Sequence, residues 1–170
     1  MIASTFTLPA FGTVIAGQGG IFAAILRAPL IDGVEQPPFA LIASDAAEGE
    51  VKCAWGEYGK DVPGTSSRTD GQANTDAMVK AECPAALQLR ALAIGGHTDW
   101  YLPSLGELNS AAANVPEIFS KDGWYWTSTQ RSRYGAFVQD FEDGDSGWLD
   151  KDSRHRARAC RRIQLDALNA

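Results

Sequence analysis

The chain has 170 residues, enough for one domain with a substantial core, and its 45% hydrophobic and 21% charged residues are ordinary for a soluble globular protein. Its 15 basic and 21 acidic residues give a formal net charge of −6, which argues against a nucleic-acid or anionic-membrane partner because both require a positive field. No apolar run approaches the roughly 20 residues of a membrane helix, and the start lacks the basic and apolar regions of a signal peptide. We therefore expect one domain over residues 1–170, with residues 1–18 as an N-terminal extension and no membrane insertion.

The first third of the sequence predicts short strands separated by turns. GGIFAAILRA (residues 19–28) and FALIAS (39–44) are joined by a turn-rich connection, so the second segment can pair back on the first as a hairpin. VKCAW (51–55) alternates like a strand with one buried face. GKDVPGTSSRTDGQ (59–72) has almost no apolar content and predicts a long loop, of the kind that is usually functional or mobile.

The middle of the chain predicts helices. Asn74 can cap a short helical turn, and Pro84 suits the first position of a longer helix that the two glycines at 95–96 end. SLGE (104–107) is a capping box that opens a second main helix, extending to residue 113.

From residue 123 onward the sequence again predicts strands. WYWTST (124–129), YGAFVQDF (134–141) and RARACRRI (156–163) are the candidate strands, and GDSG (144–147) is a turn. Strands, then two main helices, then a β-meander define an α+β fold class with a mainly antiparallel sheet and long loops.

The sequence contains no recognisable catalytic or metal-binding pattern. Cys53, Cys83 and Cys160 form no CxxC pair, so they favour three buried free thiols over a zinc site, with one disulfide and one free thiol as the alternative. His97 and His155 do not fit HExxH spacing, and no GxSxG or Walker motif is present. We expect no enzymatic activity, no metal and no cofactor.

Five segments in a fixed order carry a family resemblance. They are DGQANTDAM, CPAALQLRAL, GGHTDWYLPSLGELN, YWTST and ARACR. Together they resemble the DUF1566 family, also described as the Lcl C-terminal domain, over residues 70–163. That family typically carries Trp or Tyr followed by Leu-Pro-Ser/Thr-x-x-Glu-Leu, then Tyr-Trp-Ser-Ser/Thr, then Val-Arg-x-Val-Arg.

The matches can be followed residue by residue. The first motif is carried by Trp100, Leu102, Pro103, Ser104, Glu107 and Leu108. The second is carried by Tyr125, Trp126, Ser128 and Thr129, with Thr127 in place of the usual serine. Arg158 and Arg161 match the last motif, whereas Ala157 and Cys160 replace the usual valines.

The resemblance implies a C-type-lectin-like fold and a binding role. Members occur as domains of bacterial surface proteins and in phage and prophage genomes, so we expect a phage virion protein of a tail tip or fibre, made in the bacterial host cytoplasm. Its partners would be other virion proteins and a host-surface glycan or protein, within a homo- or hetero-oligomeric assembly. Two alternatives stay open. One is a structural virion protein that decorates a capsid or cements a tail, and the other is an enzyme of the formylglycine-generating type, which requires a reactive cysteine pair.

Several motif positions are expected to be structural. A tryptophan covers about 150–250 Å² and is costly to expose, so we expect Trp126 to lie in the core. Arg158 lies between small residues and is expected in a buried ion pair. Asp99 is either a surface residue or a partner of Arg158 or Arg161, and Glu107 is the acid of the capping box.

The predicted ligand surface lies in the loops between and after the late strands. QRSRY (130–134) has no apolar residue that would draw it inward, and DGDSGWLDKDS (143–153) places a tryptophan among acids. Tyr and Trp offer stacking area, while Arg and Asp offer directional hydrogen bonds. The candidate ligand-binding residues are Arg131, Arg133, Tyr134, Asp145 and Trp148.

Three alternatives accompany this surface. Trp148 could instead cap the core at the end of a hairpin. The acidic residues 140–145 could hold calcium, although their spacing is more typical of a hairpin turn. The loop at residues 59–72 is the next candidate for the working face.

Overall fold

The computed structural model describes residues 7–169, so the first six residues of the predicted N-terminal extension lie outside the described residues. The strands are β1 (Val14–Ile15), β2 (Gly20–Leu26), β3 (Phe39–Ser44), β4 (Glu50–Ala54), β5 (Tyr125–Gln130), β6 (Gly135–Gln139), β7 (Ser146–Asp150), β8 (Arg154–Arg158) and β9 (Cys160–Gln164). The helices are α1 (Ala46–Gly49), α2 (Gly71–Lys80), α3 (Pro84–Arg90) and α4 (Leu105–Asn114), with 3-10 turns at Pro116–Ile118 and Leu165–Asn169. The predicted α+β class is confirmed.

The strands form two sheets rather than one. A four-stranded sheet has the order β1-β2-β3-β9, and a five-stranded sheet has the order β4-β8-β5-β6-β7. Strand β5 pairs parallel with β8, whereas the other strand pairs between residues 7 and 169 are antiparallel. The five-stranded sheet is therefore mixed, with β7 at one edge.

The predicted β2–β3 hairpin is confirmed, with a register from Gly20↔Ser44 to Leu26↔Phe39. Every residue of β3 is buried, because β2 and β9 flank it and both of its faces contact the core. Gly20 permits close packing here, since a Cβ at this position would lie 2.3 Å from the carbonyl oxygen of Ala43. Strand β4, at Glu50–Ala54, coincides to within one residue with the strand predicted at residues 51–55.

The prediction of a single last strand over residues 156–163 is wrong. The chain divides at Ala159, so that β8 belongs to the five-stranded sheet and β9 to the four-stranded sheet. The amide of Ala159 donates to the carbonyl of Gly49 at 2.8 Å, and its own carbonyl accepts from Ser44 at 2.9 Å. Residues on both sides of Ala159 are buried, so an uninterrupted buried run conceals the change of sheet in the sequence.

Helix α2 differs from the predicted short turn. It has ten residues, and its N-cap is Asp70, whose side chain accepts from the amide of Ala73 at 3.0 Å. Asn74 is buried within the helix, where its side chain exchanges two hydrogen bonds with the backbone of Ser67. The predicted capping role of Asn74 is therefore wrong, because Asn74 fastens the preceding loop instead.

Helices α3 and α4 begin where the sequence predicts. Pro84 occupies the first turn of α3, but the helix ends at Arg90, and the two glycines at 95–96 form a separate tight turn. Ser104 and Glu107 form both hydrogen bonds of the predicted capping box of α4. No helix within residues 7–169 is long and apolar enough to cross a membrane.

Trp126 lies in the core, as predicted, with no exposed surface. Its indole N–H donates to the carbonyl of Cys53 at 2.9 Å, and the indole of Trp55 donates to the carbonyl of Thr127 at 2.8 Å. These two bonds connect β5 to β4 and to Trp55, the residue that follows β4. They also satisfy the hydrogen-bond donor of each buried indole. The stretch that contains Trp126 is therefore scaffold.

Arg158 is also buried, and the predicted buried ion pair is confirmed. Its guanidinium donates twice to one carboxylate oxygen of Glu50, at 3.0 and 2.7 Å, and lies 4.9 Å from the ring centroid of Phe119. The remaining donors reach the carbonyls of Ser44 and Ile118, each at 3.0 Å. One side chain thus joins segments of both sheets and the turn after α4.

A second arginine completes the matched motif. Arg161 donates through Nε and Nη2 to the two carboxylate oxygens of Asp99, at 2.8 and 3.2 Å. Burial alone would raise the pKa of Asp99, but the hydrogen bonds and charge of Arg161 lower it below the ordinary value. Of the two partners proposed for Asp99, Arg161 is the observed one.

Candidate binding surface

Strands β6 and β7 form a hairpin at the open edge of the five-stranded sheet. Residues 131–134 connect β5 to β6, and residues 140–145 connect β6 to β7. Strand β7 alternates between exposed and half-buried residues, and in the described chain no further strand pairs with its outer edge. The predicted loop at residues 130–134 therefore lies at one end of this hairpin. The prediction of a second loop over residues 143–153 is wrong, because residues 146–150 form β7 and Trp148 lies on a strand.

Trp148 and Arg131 come together on the outer face of the hairpin. The guanidinium carbon of Arg131 lies 4.4 Å from the ring centroid of Trp148, and Trp148 is 45% exposed. The same ring rests on Gly135, where an added Cβ would lie 2.6 Å from Cε3 of Trp148. The alternative that Trp148 caps the core does not match this placement, because the ring packs on a glycine backbone and an arginine.

A second arginine and ring adjoin the first pair. Phe137 stands directly opposite Trp148 in the β6–β7 register, and the guanidinium carbon of Arg68 lies 5.3 Å from the Phe137 centroid. Cβ atoms of directly opposed residues are about 4.5–5.5 Å apart, so the two rings are neighbours on one face. Neither Arg68 nor Phe137 was among the predicted ligand residues.

Arg68 reaches this face because its loop is fastened to the late strands. The amide of Gln130 donates to the carbonyl of Thr65 at 2.8 Å, and the hydroxyl of Thr129 donates to the carbonyl of Ser67 at 2.8 Å. The amide of Gly106 donates to the carbonyl of Arg68 at 2.8 Å. The loop at residues 59–72 and the turn at 131–134, predicted as separate candidate surfaces, are therefore contiguous.

We call these four residues, Arg68, Arg131, Phe137 and Trp148, the arginine–aromatic face. Tyr134 lies at the same end of the hairpin but outside this set, because alternation along β6 directs it to the side opposite Phe137. There its ring lies 5.1 Å from that of Tyr58, and both tyrosines are about half exposed. Arg133 is exposed in the connecting turn and accepts a backbone hydrogen bond from Gly59.

Asp145 lies at the other end of the hairpin from Arg131. Five residues of β6 separate these two turns, a span of roughly 17 Å at the usual rise of a strand. The carboxylate of Asp140 accepts from the amides of Glu142 and Asp143, at 3.3 and 3.1 Å, which is the arrangement of a closed turn. Within residues 7–169 no group of three or more His, Cys, Asp or Glu side chains is arranged to hold a metal ion.

The arginines of the arginine–aromatic face differ from the others in their bonding. The sequence contains ten arginines, and all lie in the described part of the chain. Seven of them form a side-chain hydrogen bond or ion pair, namely Arg27, Arg90, Arg154, Arg156, Arg158, Arg161 and Arg162. Among residues 7–169 no such partner contacts the side chains of Arg68, Arg131 or Arg133, and Arg133 lies in the turn beside the other two.

Four reactive side chains, those of the three cysteines and of Lys151, are buried. All three cysteines are buried free thiols, as the sequence favours, and burial raises the pKa of Cys53 to about 11 and raises that of Cys83. Burial lowers the pKa of Lys151 to about 8, but the side chain has no exposed surface. Its ammonium donates to the carbonyl of Lys60 at 2.7 Å, so it fastens the loop after β4.

No protein-family model matches the chain, and no curated protein matches it. Among solved structures, the crystal structure of a fimbrial protein from Bacteroides ovatus ATCC 8483 at 1.85 Å resolution has a similar fold, with a TM-score of 0.53 and 13% sequence identity. The likeness covers 92% of this chain and 45% of that chain, so this chain spans less than half of the other protein's length. At this identity the likeness concerns the fold alone.

Proposed function

We propose that the chain is a non-enzymatic binding module of a phage virion, at a tail tip or fibre, that recognises a host-surface glycan or protein. The observation that carries the proposal is the exposed arginine–aromatic face on the edge hairpin. Aromatic rings supply contact area at low entropic cost, and guanidinium groups supply directional donors. Loops and hairpin ends on a rigid sheet are also where binding residues commonly lie.

Two observations support an assembly outside a bacterial cell. The fold resembles that of a protein described as fimbrial. The motif residues that resemble the DUF1566 family also occupy coherent structural positions, with Trp100 and Trp126 in the core and Glu107 in a capping box. We propose a C-type-lectin-like fold, on the resemblance of these motif residues to the DUF1566 family, as the finer description of this α+β domain.

The buried thiols favour a binding role over a formylglycine-generating activity. Such an enzyme requires a reactive cysteine pair, whereas Cys53, Cys83 and Cys160 are each buried and free. Burial raises the pKa of Cys53 and Cys160, which disfavours the reactive thiolate.

Adsorption measurements test the proposal directly. Arg131→Ala and Trp148→Ala are compared with wild type for binding of fluorescently labelled protein to a panel of bacterial strains, with the melting temperature measured in parallel. We expect both variants to lose adsorption while the melting temperature stays near that of wild type, because both side chains are exposed. Asp145→Ala, at the far end of the hairpin, is the matched control and should adsorb normally. Full adsorption by all three variants would exclude this face as the working surface.

A second candidate function, a structural virion component, is favoured by a different surface. Leu30, Ile31 and Val34 are all more than half exposed around a two-residue turn, in which Asp32 and Gly33 have positive φ angles. Exposed apolar side chains of this kind are typical of contacts between proteins.

The two candidates can be separated with one double variant. Ile31→Ser with Val34→Ser should abolish incorporation into particles if the chain is chiefly a structural component. Normal incorporation, together with lost adsorption in Arg131→Ala, would support the receptor-binding role. Electron microscopy of virions labelled through this chain distinguishes tail from capsid.

A further inference from the structure

The chain leaves its unpaired arginines in one place. Arg68 and Arg131 lie over directly opposed rings on the same face of the edge hairpin. The chain has a net charge of −6, so intramolecular carboxylates are abundant. Seven of its ten arginines form a side-chain ion pair or hydrogen bond within the chain. Guanidinium groups without a partner at a shared position are therefore donors available to an external acceptor.

The rings hold these donors in position. A guanidinium over an aromatic face is attracted by the ring, so Arg131 is positioned by Trp148, and Arg68 by Phe137. A guanidinium has five N–H donors in a planar fork that matches the oxygens of a carboxylate or a phosphate-like group. Because Trp148 already contacts both Gly135 and Arg131, the guanidinium rather than a bare ring face is the group presented to a ligand.

We propose that the arginine–aromatic face binds an acidic polysaccharide through carboxylate or sulfate groups on its sugars. This inference rests on the proposed function, since a host surface is the source of the polysaccharide. A neutral glycan would leave both guanidinium groups without an ionic acceptor. A nucleic acid requires a broad positive field, which a chain of net charge −6 opposes.

Asp150, an acidic residue on the same face, provides a control variant that should change binding in the opposite direction to the arginine variants. Asp150 and Trp148 project from the same side of β7, because they are two residues apart, and Asp150 forms none of the six ion pairs found between residues 7 and 169. Its charge opposes an anionic ligand. Asp150→Asn should therefore strengthen binding to an acidic polymer, whereas the arginine variants weaken it.

Paired polymers test the inference. Polygalacturonate is compared with its methyl ester, and dextran sulfate with dextran, so each acidic polymer has a neutral control of the same backbone. We expect wild-type protein to bind the acidic member of at least one pair, more weakly as salt increases, and the preferred pair identifies carboxylate or sulfate as the recognised group. Arg68→Gln and Arg131→Gln should each raise the Kd about tenfold, the loss expected for one charge-assisted contact.

Arg27→Gln is the matched charge control, since Arg27 is exposed and pairs with Glu35 at another surface. It should leave polymer binding unchanged. Equal binding of acidic and neutral polymers, an equal loss in Arg27→Gln, or a preference for single-stranded DNA over both acidic polymers would each overturn the inference.

Adsorption separates this inference from the proposed function. If Arg68→Gln with Arg131→Gln adsorbs normally to host cells, and wild type binds no acidic polymer, the inference fails while the receptor-binding role stands. If wild type adsorbs to no strain but binds an acidic polymer through both arginines, the proposed function fails and the anionic site stands.

Discussion

Removing Arg158 should strongly destabilise the protein. In Arg158→Ala, the carboxylate of Glu50 loses two hydrogen bonds, and the carbonyls of Ser44 and Ile118 lose one each. The Arg158 side chain is 1% exposed and that of Glu50 is 12% exposed, so water replaces these bonds poorly. Breaking a buried ion pair from one side typically costs about 3–5 kcal/mol, and we expect a loss of that size in the free energy of unfolding.

Glu50 retains two other partners in this variant. The hydroxyl of Tyr125 donates to its carboxylate at 2.7 Å, and Arg156 donates at 3.0 Å. Glu50 therefore keeps two hydrogen-bond partners in the variant, so the expected cost does not exceed the range for a broken buried pair. The loss also includes the contact between Arg158 and the ring of Phe119.

The same contact predicts a pH dependence. Burial alone would raise the pKa of Glu50, but the hydrogen bonds from Tyr125 and Arg158 and the charge of Arg158 lower it below the ordinary value. A carboxylate whose pKa is lower in the folded state stabilises the protein above its unfolded pKa, about 4.3, and this stabilisation is lost as the pH falls through the folded pKa. The difference between wild type and Arg158→Ala should therefore narrow as the pH falls below about 4.

Urea titrations monitored by tryptophan fluorescence measure both effects. Arg27→Ala is the control, because its pair with Glu35 is 71% and 68% exposed and should contribute at most about 1 kcal/mol. Glu50→Gln and the double variant complete a double-mutant cycle that isolates the interaction between Glu50 and Arg158. A loss in Arg158→Ala no larger than that in Arg27→Ala would refute the buried-pair reasoning.

Two further variants test the core. Trp126→Ala should cost about 3–5 kcal/mol in a denaturant titration, because it empties a fully buried site and removes the hydrogen bond to Cys53, and a loss below about 1 kcal/mol would contradict the core placement. Burial lowers the pKa of Lys151 to about 8, so at this residue the unfolded state binds more protons between about pH 8 and 10, and the contribution of Lys151 to stability grows with pH there. The three buried thiols act in the opposite direction in both proteins, so the test is the difference between them: wild-type stability relative to Lys151→Met should rise from about pH 8 to 10, and a constant difference would contradict the prediction.

Local signals predict much of the fold. The capping box at Ser104 and Glu107 depends on two residues of one turn, and alternation in VKCAW depends on five, so both can be read from short segments. The hairpin of β2 and β3 follows from two apolar segments with turn residues between them. The change of sheet at Ala159 could not be predicted in this way, because its hydrogen bonds go to Ser44 and Gly49, which are distant in the sequence.

The candidate binding surface was also predicted only in part, because it too depends on contacts between residues that are distant in the sequence. Arg131 and Trp148, both candidate ligand residues from the sequence, are in contact, but Tyr134 falls on the opposite side because the strand pairing already extends to it through the hydrogen bond from the amide of Lys151. Arg68 was missed because its place over Phe137 depends on how the preceding loop docks. The near-absence of apolar residues in that loop marked it as a candidate region, but only the tertiary contacts show that it completes the same face.

The division of the last strands between two sheets also has a consequence for biosynthesis. Arg158 contacts Glu50 and Ser44, which precede it by 108 and 114 residues. Strands β3 and β4 therefore leave the ribosome long before β8 and β9 are synthesised. During that interval β3 lacks β9, one of its two neighbours, and β4 lacks β8, the one strand that pairs with it between residues 7 and 169. Long-range pairing of this kind is slow, and an unpaired apolar strand such as FALIAS is prone to aggregate. Both strands therefore stay incompletely paired in the nascent chain until residues 154–164 have been synthesised, and chaperones would protect them most during that interval.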